Sequence, residues 1–292
     1  MTGQSEHCTY HRPDSIEAVH ELLARYGPNA KLVAGGQSLS LLLRQDMLDP
    51  SALIDISRVS ALSGIEEEAD RVRIGGTTTY ADLEAYLSST RIPVLTDAVD
   101  VLADQQVRNM GTIGGALSHA DPHLDIVPPL VCLDSQIMIS TETGTRQIPV
   151  EQFSSGYLET DLGPTELLKD VAFTRRSGTS GAYIKLSPIH GGWATVGVAT
   201  SITVSDDGGQ ITSGRIALAG VGATVVRAST AEEELSGAAP SERSLRTVAQ
   251  AVQEDIDPMS GLSGSAEYKS TVATNLTVRS LKRALDRVGG SQ

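Results

Sequence analysis

Two short glycine-bearing runs are the residues of this chain best suited to chemistry. Ala34-Gly35-Gly36-Gln37-Ser38 stands where an apolar run gives way to a helical pattern. Thr112-Ile113-Gly114-Gly115 is followed by Ser118, His119, Asp121 and Asp125. Glycines let a backbone approach a bulky anion and adopt angles that other residues avoid. Successive N–H groups, reinforced by the positive end of a following helix, can cradle the oxygens of a diphosphate. Taken alone, either run also fits a tight loop without a ligand. Neither is the G-x-G-x-x-G fingerprint, and no Lys-Ser or Lys-Thr follows as in a P-loop. Two in one chain suit a ligand with two phosphates and extended flanks, which the hydroxyl and carboxylate groups after the second run would orient.

A third signal is Tyr183-Ile184-Lys185 with Trp193, the sole tryptophan. A flavin needs a flat apolar neighbour for its rings, and a nearby cation tunes its electronics. Alone, Trp193 reads first as a core residue. A rival reading takes His119, Asp121, His123 and Asp125 as metal ligands. In an extended strand these alternating residues share one face, and their nitrogen and oxygen donors suit zinc or iron. Pro122 interrupts that run, and no second ligand cluster stands out. His7, His11, His20 and His190 read as surface or structural groups, and Cys132, in an apolar stretch, as a buried hydrophobe. Lys269, Arg279, Lys282, Arg283 and Arg287 form a basic face on the last helix. They read as solvated surface, with partner docking as the alternative.

The elements that position these residues follow from periodicity. Asp14 and Glu17 have capping-box spacing ahead of a helix with Ile16, Val19, Leu22, Leu23 and Tyr26 on one face, closed by Gly27-Pro28. A strand over 31–34, a helix over 39–47 and a strand over 53–56 complete a βαβ-like opening. Strands are expected at 71–75, 136–140 and 146–150. Helices are expected at 80–87, capped by Thr79 with Asp82 in its first turn, and at 93–103. Residues 108–125 are rich in Gly, His and Asp without periodicity, and so long a passage is functional when ordered. A turn or linker at 175–181 opens a third unit. Its strands at 196–204 and 214–221 flank the hairpin turn Asp206-Asp207-Gly208-Gly209. Leu245, Val248, Ala249 and Val252 mark one closing helix, and Tyr268, Val272, Leu276 and Leu281 the other.

Composition narrows the class. A chain of 292 residues holds two or three compact units. A net charge of −13 argues against a nucleic-acid surface, which depends on clustered Lys and Arg. Cys8 and Cys132 are too few for a disulfide framework, and no C-x-x-C pair offers zinc or iron–sulfur ligands. A reducing compartment follows. Residues 1–15 are polar, unlike a signal peptide. No apolar run approaches the ~20 residues of a membrane helix, and Pro128 and Pro129 interrupt 124–133. The expectation is a cytoplasmic protein without membrane insertion.

The two glycine runs, about 75 residues apart, resemble the FAD-contact loops of the carbon monoxide dehydrogenase medium-subunit family, in the xanthine dehydrogenase class of flavoproteins. The resemblance extends over nearly the whole chain. It includes Tyr10-His11-Arg12-Pro13-x-Ser15, Leu53-Ile54-Asp55-Ile56, Ile74-Gly75-Gly76 and Arg108. It continues through Ala120-Asp121-Pro122 with Asp125, Tyr183-x-Lys185 and Ala266-Glu267-Tyr268. It implies an α+β fold: a PCMH-type FAD-binding domain over 1–176, with subdomains of about 1–56 and 57–176. A smaller C-terminal domain over 177–292 would hold an antiparallel sheet and helices. By position, Leu32, Val33, Ala34, Gly35, Gly36, Gln37 and Ser38, with Leu39 adjoining, would line the adenosine and diphosphate side. Thr112, Gly114, Gly115, Ser118 and Asp125 would hold the diphosphate and the sugar or ribityl part, with Ile113, Ala116, His119 and Asp121 among the contacts. Lys185 and Trp193 would approach the flavin ring.

The sequence departs from that family at named places. Ala116 replaces the usual Asn, with His119 as its candidate substitute, and Gly192 replaces an acidic residue. Trp193 stands for tyrosine, and Ser187-Pro188-Ile189-His190-Gly191 stands for an Arg-rich segment. The resemblance further implies an electron relay. A molybdenum cofactor in a large partner subunit would oxidise the substrate. Two [2Fe–2S] clusters in a small partner would pass electrons to FAD held here, and an external acceptor would take them. The assembly would be a heterohexamer, (LMS)2, and no side chain here would act as nucleophile. The alternatives are a stand-alone FAD oxidase, for which the C-terminal unit is small, and a non-catalytic nucleotide- or metal-binding protein built around 119–125.

Overall fold

Three parallel strands open the chain: Thr9–His11 (β1), Ala30–Val33 (β2) and Ala52–Asp55 (β3). They are arranged β1-β3-β2, with β1 and β2 both parallel to β3. The computed structural model describes residues 8–289, so His7 lies outside it. Helix α1 (Ile16–Tyr26) buries Val19 and Leu23 against this sheet. Its cap is Ser15 rather than Asp14. With Ser15 extended, its hydroxyl accepts from the Ala18 N–H three residues on, the reach an N-cap requires. Helix α2 (Leu39–Arg44) is shorter than expected, because Asp46 turns left-handed at φ 55°.

The next sheet is antiparallel. Strands Ile65–Glu68 (β4), Arg71–Gly75 (β5), Gln136–Thr141 (β6) and Gly144–Pro149 (β7) surround Leu167–Thr174 (β10), in the order β4-β5-β10-β6-β7. Strands Ser154–Gly156 (β8) and Glu159–Thr160 (β9) form a separate small hairpin. The central strand β10 has no alternating pattern, since Leu167, Leu168, Val171, Ala172 and Phe173 are all buried.

Helices cover one face of this sheet. Tyr80–Ser89 (α3) starts on the expected Thr79 cap, which Asp82 completes into a capping box, and Pro93–Val101 (α4) follows it. The passage 108–125 is not an irregular loop. It holds the end of Gln105–Met110 (α5) and all of Ile113–His119 (α6). Pro128 and Pro129 do not break structure either. They lie in the first turn of Val127–Cys132 (α7), where a missing N–H removes no helical hydrogen bond. Helix Val150–Phe153 (α8) is a single turn.

The last sheet runs β11-β12-β13-β14: Thr179–Leu186, Val196–Val204, Ile211–Ala219 and Val226–Arg227, all antiparallel. Helices Ser229–Leu235 (α9) and Glu242–Ala251 (α10) precede the long terminal helix Ala266–Gly289 (α11). Strand β11 begins at Thr179, so the connection from β10 is only residues 175–178. The core of the five-stranded sheet continues into Tyr183, Ala199 and Ala217 of this last one.

The basic face of α11 is not simply solvated. Arg283 and Arg287 both pair with the buried Asp97 of α4, at 2.9 and 2.7 Å, and Asp97 also accepts from the Tyr183 N–H. Leaving that carboxylate unpaired inside the protein would cost several kcal/mol, on the order of 3–5. Lys269 is buried as well, and Lys282 pairs with Glu242 at 3.1 Å.

Candidate cofactor site

All three parallel strands end on the side where the first glycine run begins, the edge at which such sheets bind ligands. Gly36 has φ +69°, a left-handed angle that disfavours any side chain. Among the described residues, the N–H groups of Gly35, Gly36, Gln37, Ser38 and Leu39 have no acceptor. The Ser38 hydroxyl is likewise without a partner. Leu32, Val33 and Ala34 lead into this loop half-buried, as are the loop residues themselves. Five consecutive free donors at a helix start form an anion nest. Gly35 has a different job. A Cβ there would collide with the Met110 carbonyl, so this glycine seats the loop on the end of α5.

The second run is the first turn of α6, and it is not a second nest. The Ile113 N–H donates to Thr78 O at 3.0 Å and the Gly114 N–H to Gly76 O at 2.9 Å. The Gly115 N–H donates to the capping hydroxyl of Thr112 at 3.1 Å and the Ala116 N–H to Thr112 O at 3.0 Å. Gly114 is buried, with its Cβ position 2.5 Å from Gly76 O. What this helix offers a ligand is its outer face, where Gly115, Ser118 and His119 follow at helical spacing. Gly115 and Ser118 are exposed, and Ala116 and His119 are half-buried. Burial holds the His119 imidazole below its ordinary pKa, against the opposing pull of Asp121.

The four alternating residues after the second run diverge. His119 ends α6, and Ala120 turns left-handed at φ 53°. The Asp121 carboxylate accepts from the His123 N–H at 2.8 Å, and His123 Nδ1 lies 2.7 Å from the Ala194 carbonyl. A carbonyl only accepts, so Nδ1 carries the proton. Among the described residues, no three His, Cys, Asp or Glu side chains converge on a metal position.

Asp125 is buried beneath the surface. One carboxylate oxygen accepts from the Tyr183 hydroxyl and the other from Lys185 Nζ, both at 2.7 Å. Burial raises the Asp125 pKa while Lys185 and Tyr183 pull it down. The same burial, with Asp125 beside it, pushes the Tyr183 phenol up. The Lys185 side chain is only 6% exposed, and Nζ also donates to the Gly192 carbonyl at 2.8 Å. Trp193, by contrast, is no core residue. It is 52% exposed, and its ring meets His119 edge-on at 6.3 Å between centroids.

Three exposed residues gave no such signal in the sequence. Met110 sits beside the first run, while Tyr157 and Leu158 form the hairpin tip held to Ala120 O by the Leu158 N–H. Side chains met only through a distant chain turn leave no periodic trace.

Together these features make a track. The first run rests through Gly35 on Met110 and Gly111, the junction from α5 into α6, and the outer face of α6 leads about 10 Å, at 1.5 Å per residue, to His119 and Trp193. A cradle for an anionic group at one end and an exposed indole at the other fit a diphosphate-bridged cofactor with a flat ring, which is the equipment of a flavoprotein.

The comparisons with known proteins agree. Residues 4–173 match the FAD binding domain in molybdopterin dehydrogenase, and residues 182–284 match the CO dehydrogenase flavoprotein C-terminal domain. The alpha subunit of the 6-hydroxypseudooxynicotine dehydrogenase complex of Paenarthrobacter nicotinovorans is 35% identical, covering 94% of this chain and 93% of that protein. The carbon monoxide dehydrogenase medium chain of Hydrogenophaga pseudoflava is 34% identical, covering 95% and 97%. A solved structure of carbon monoxide dehydrogenase from that organism, lacking the Mo-pyranopterin moiety, superposes with a TM-score of 0.92 at 35% identity, covering 96% and 98%. The chain belongs to the FAD-binding medium-subunit family of the molybdenum hydroxylases, as a flavoprotein subunit of an oxidoreductase.

Proposed function

We propose that this chain is an electron-relay subunit, taking electrons from [2Fe–2S] clusters of a small partner and delivering them to an external acceptor. The substrate would be oxidised at a molybdenum cofactor in a large partner, in an (LMS)2 assembly. We place that assembly in the cytoplasm, in keeping with the free thiols Cys8 and Cys132. We put the domain division at residue 176, a reading supported by the short connection between β10 and β11. When bound, FAD supplies the redox chemistry through its ring system. The chain's residues bind and orient it. The N–H groups from Gly35 to Leu39 and the Ser38 hydroxyl receive the pyrophosphate, with Leu32, Val33, Ala34 and Gln37 beside the adenosine. Gly115, Ser118 and His119 form the middle of the track, with Thr112, Ile113, Gly114, Ala116 and Asp121 shaping it. Trp193 flanks the ring, backed by Lys185 and Asp125.

The observation that carries this reading is the row of free backbone donors at the start of the track. Its test is the visible spectrum of the purified chain, with bands near ~370 and ~450 nm expected for a flavin. Gly36→Leu should fold, since the Cβ position there meets only Val33 Cγ1 at an ordinary 3.8 Å, yet lose the bound flavin as the left-handed turn is forced elsewhere. A colourless wild-type chain that refuses FAD on titration overturns the flavin assignment. Recovery without large and small partners overturns the relay.

A further inference from the structure

We propose that His123 and Lys185 are positioning residues that fix the Trp193 indole by gripping the peptide carbonyls on either side of it. His123 Nδ1 donates to Ala194 O at 2.7 Å, and Lys185 Nζ donates to Gly192 O at 2.8 Å. With both neighbouring carbonyls held, the backbone of Trp193 has little freedom, although its side chain is half in solvent. The segment before it needs such restraint. Ile189 and His190 are exposed, and the stretch is otherwise steadied by Gly191 resting on the Ala103 backbone and by the Ile189 carbonyl, which accepts from the Gly192 N–H and from the Ser187 hydroxyl.

The two grips are chemically different and spring from one turn. His123 donates from a ring nitrogen, packed where a Cβ on Gly220 would lie 3.0 Å from Nδ1. Lys185 depends on Asp125, two residues beyond His123, whose buried carboxylate orients the ammonium group at 2.7 Å. The Gly220 N–H donates to Pro122 O at 2.9 Å, which pins the turn itself to the four-stranded sheet. Residues 121–125 thus hold the indole from across the seam between two sheets. The importance of this hold for the cofactor rests on the flavin reading above, but the hold itself does not.

Trp193 is the sole tryptophan, so the emission of the full chain, stripped of cofactor and excited where its seven tyrosines do not absorb, reports this segment alone. His123→Ala removes one donor and should raise the open population of the segment about fivefold. Acrylamide quenching should increase and emission anisotropy fall, with far-UV circular dichroism unchanged. His123→Asn, whose amide N–H can occupy the place of Nδ1, should restore both toward wild type. If His123→Ala does not fold, Lys185→Met paired with Asp125→Asn releases the other carbonyl without stranding a buried charge, and should give the same loosening. Wild-type quenching and anisotropy in a folded releasing variant, or equal perturbation by Ala and Asn, overturns the proposal. FAD titration of the same preparations separates the two readings. A wild type that refuses FAD sinks the flavin assignment while fluorescence still decides the grip, and FAD binding with unaltered fluorescence in the variants sinks the grip alone.

Discussion

The two glycine runs have nearly the same composition and opposite roles. In the first, five N–H groups from Gly35 to Leu39 are free among the described residues. In the second, the donors of Ile113, Gly114, Gly115 and Ala116 are all engaged within the chain. Glycine marks a close approach in both, but mostly to protein: Gly35 to the Met110 carbonyl and Gly114 to Gly76. Unsatisfied donors, rather than glycine content, separate a ligand cradle from a packing joint. The second run contributes by seating α6 so that its outer face leads away from the cradle.

The largest effects should come from the two packing glycines. Gly35→Ala and Gly114→Ala each drive a methyl into backbone that cannot swing aside, and each should destabilise by about 3 kcal/mol or more. Urea melts of the two variants check this, and wild-type midpoints would show that the joints yield. Next comes Thr112→Ala, which removes the α6 cap and leaves the Gly115 N–H without its acceptor. A loss of about 1 kcal/mol is expected. It should lower flavin affinity less than Gly36→Leu does, because the freed donor lies beside the cradle and not within it. An equal loss of flavin would place the second run inside the anion site after all.

Much of this was legible in the sequence, and the misses share a cause. The Thr79–Asp82 box, the β5, β6 and β12 strands and the two closing helices follow from local patterns that tertiary structure did not override. Strand β10 was invisible because both its faces are buried, which erases the period-two signal. Helices α6 and α7 were hidden by Gly114-Gly115 and Pro128-Pro129. The glycines are tolerated because Gly76 and the Thr112 cap engage their N–H groups, and the prolines because a first turn makes no use of the missing N–H. At the site, the identities of the track residues were readable, but their donor inventory was not. Whether an N–H is free depends on partners such as Gly76 and Thr78, more than 30 positions away. The same distance hid the tie between His123 and Ala194.

The smallest expected effect is a titration that should distinguish the two runs. Residues 34–38 contain no ionisable side chain, whereas the helix that the second run starts ends at His119, whose pKa is lowered by burial. Because the folded chain binds that proton less readily than the unfolded chain, the neutral imidazole favours folding. Its contribution is complete above the ordinary value of 6.5 and is lost as the pH falls through 6.5 toward the lower folded pKa. Asp121 opposes the shift, which keeps the effect modest. The melting temperature of the wild type should therefore drop more steeply on acidification below neutrality than that of His119→Asn, which has no proton to take up. Trp193 lies edge-on to the ring, so its emission should change over the same interval in the wild type only. Parallel melting curves would mean that the outer face of α6 is as indifferent to acid as the cradle, and that His119 is held no differently in the folded and unfolded chain.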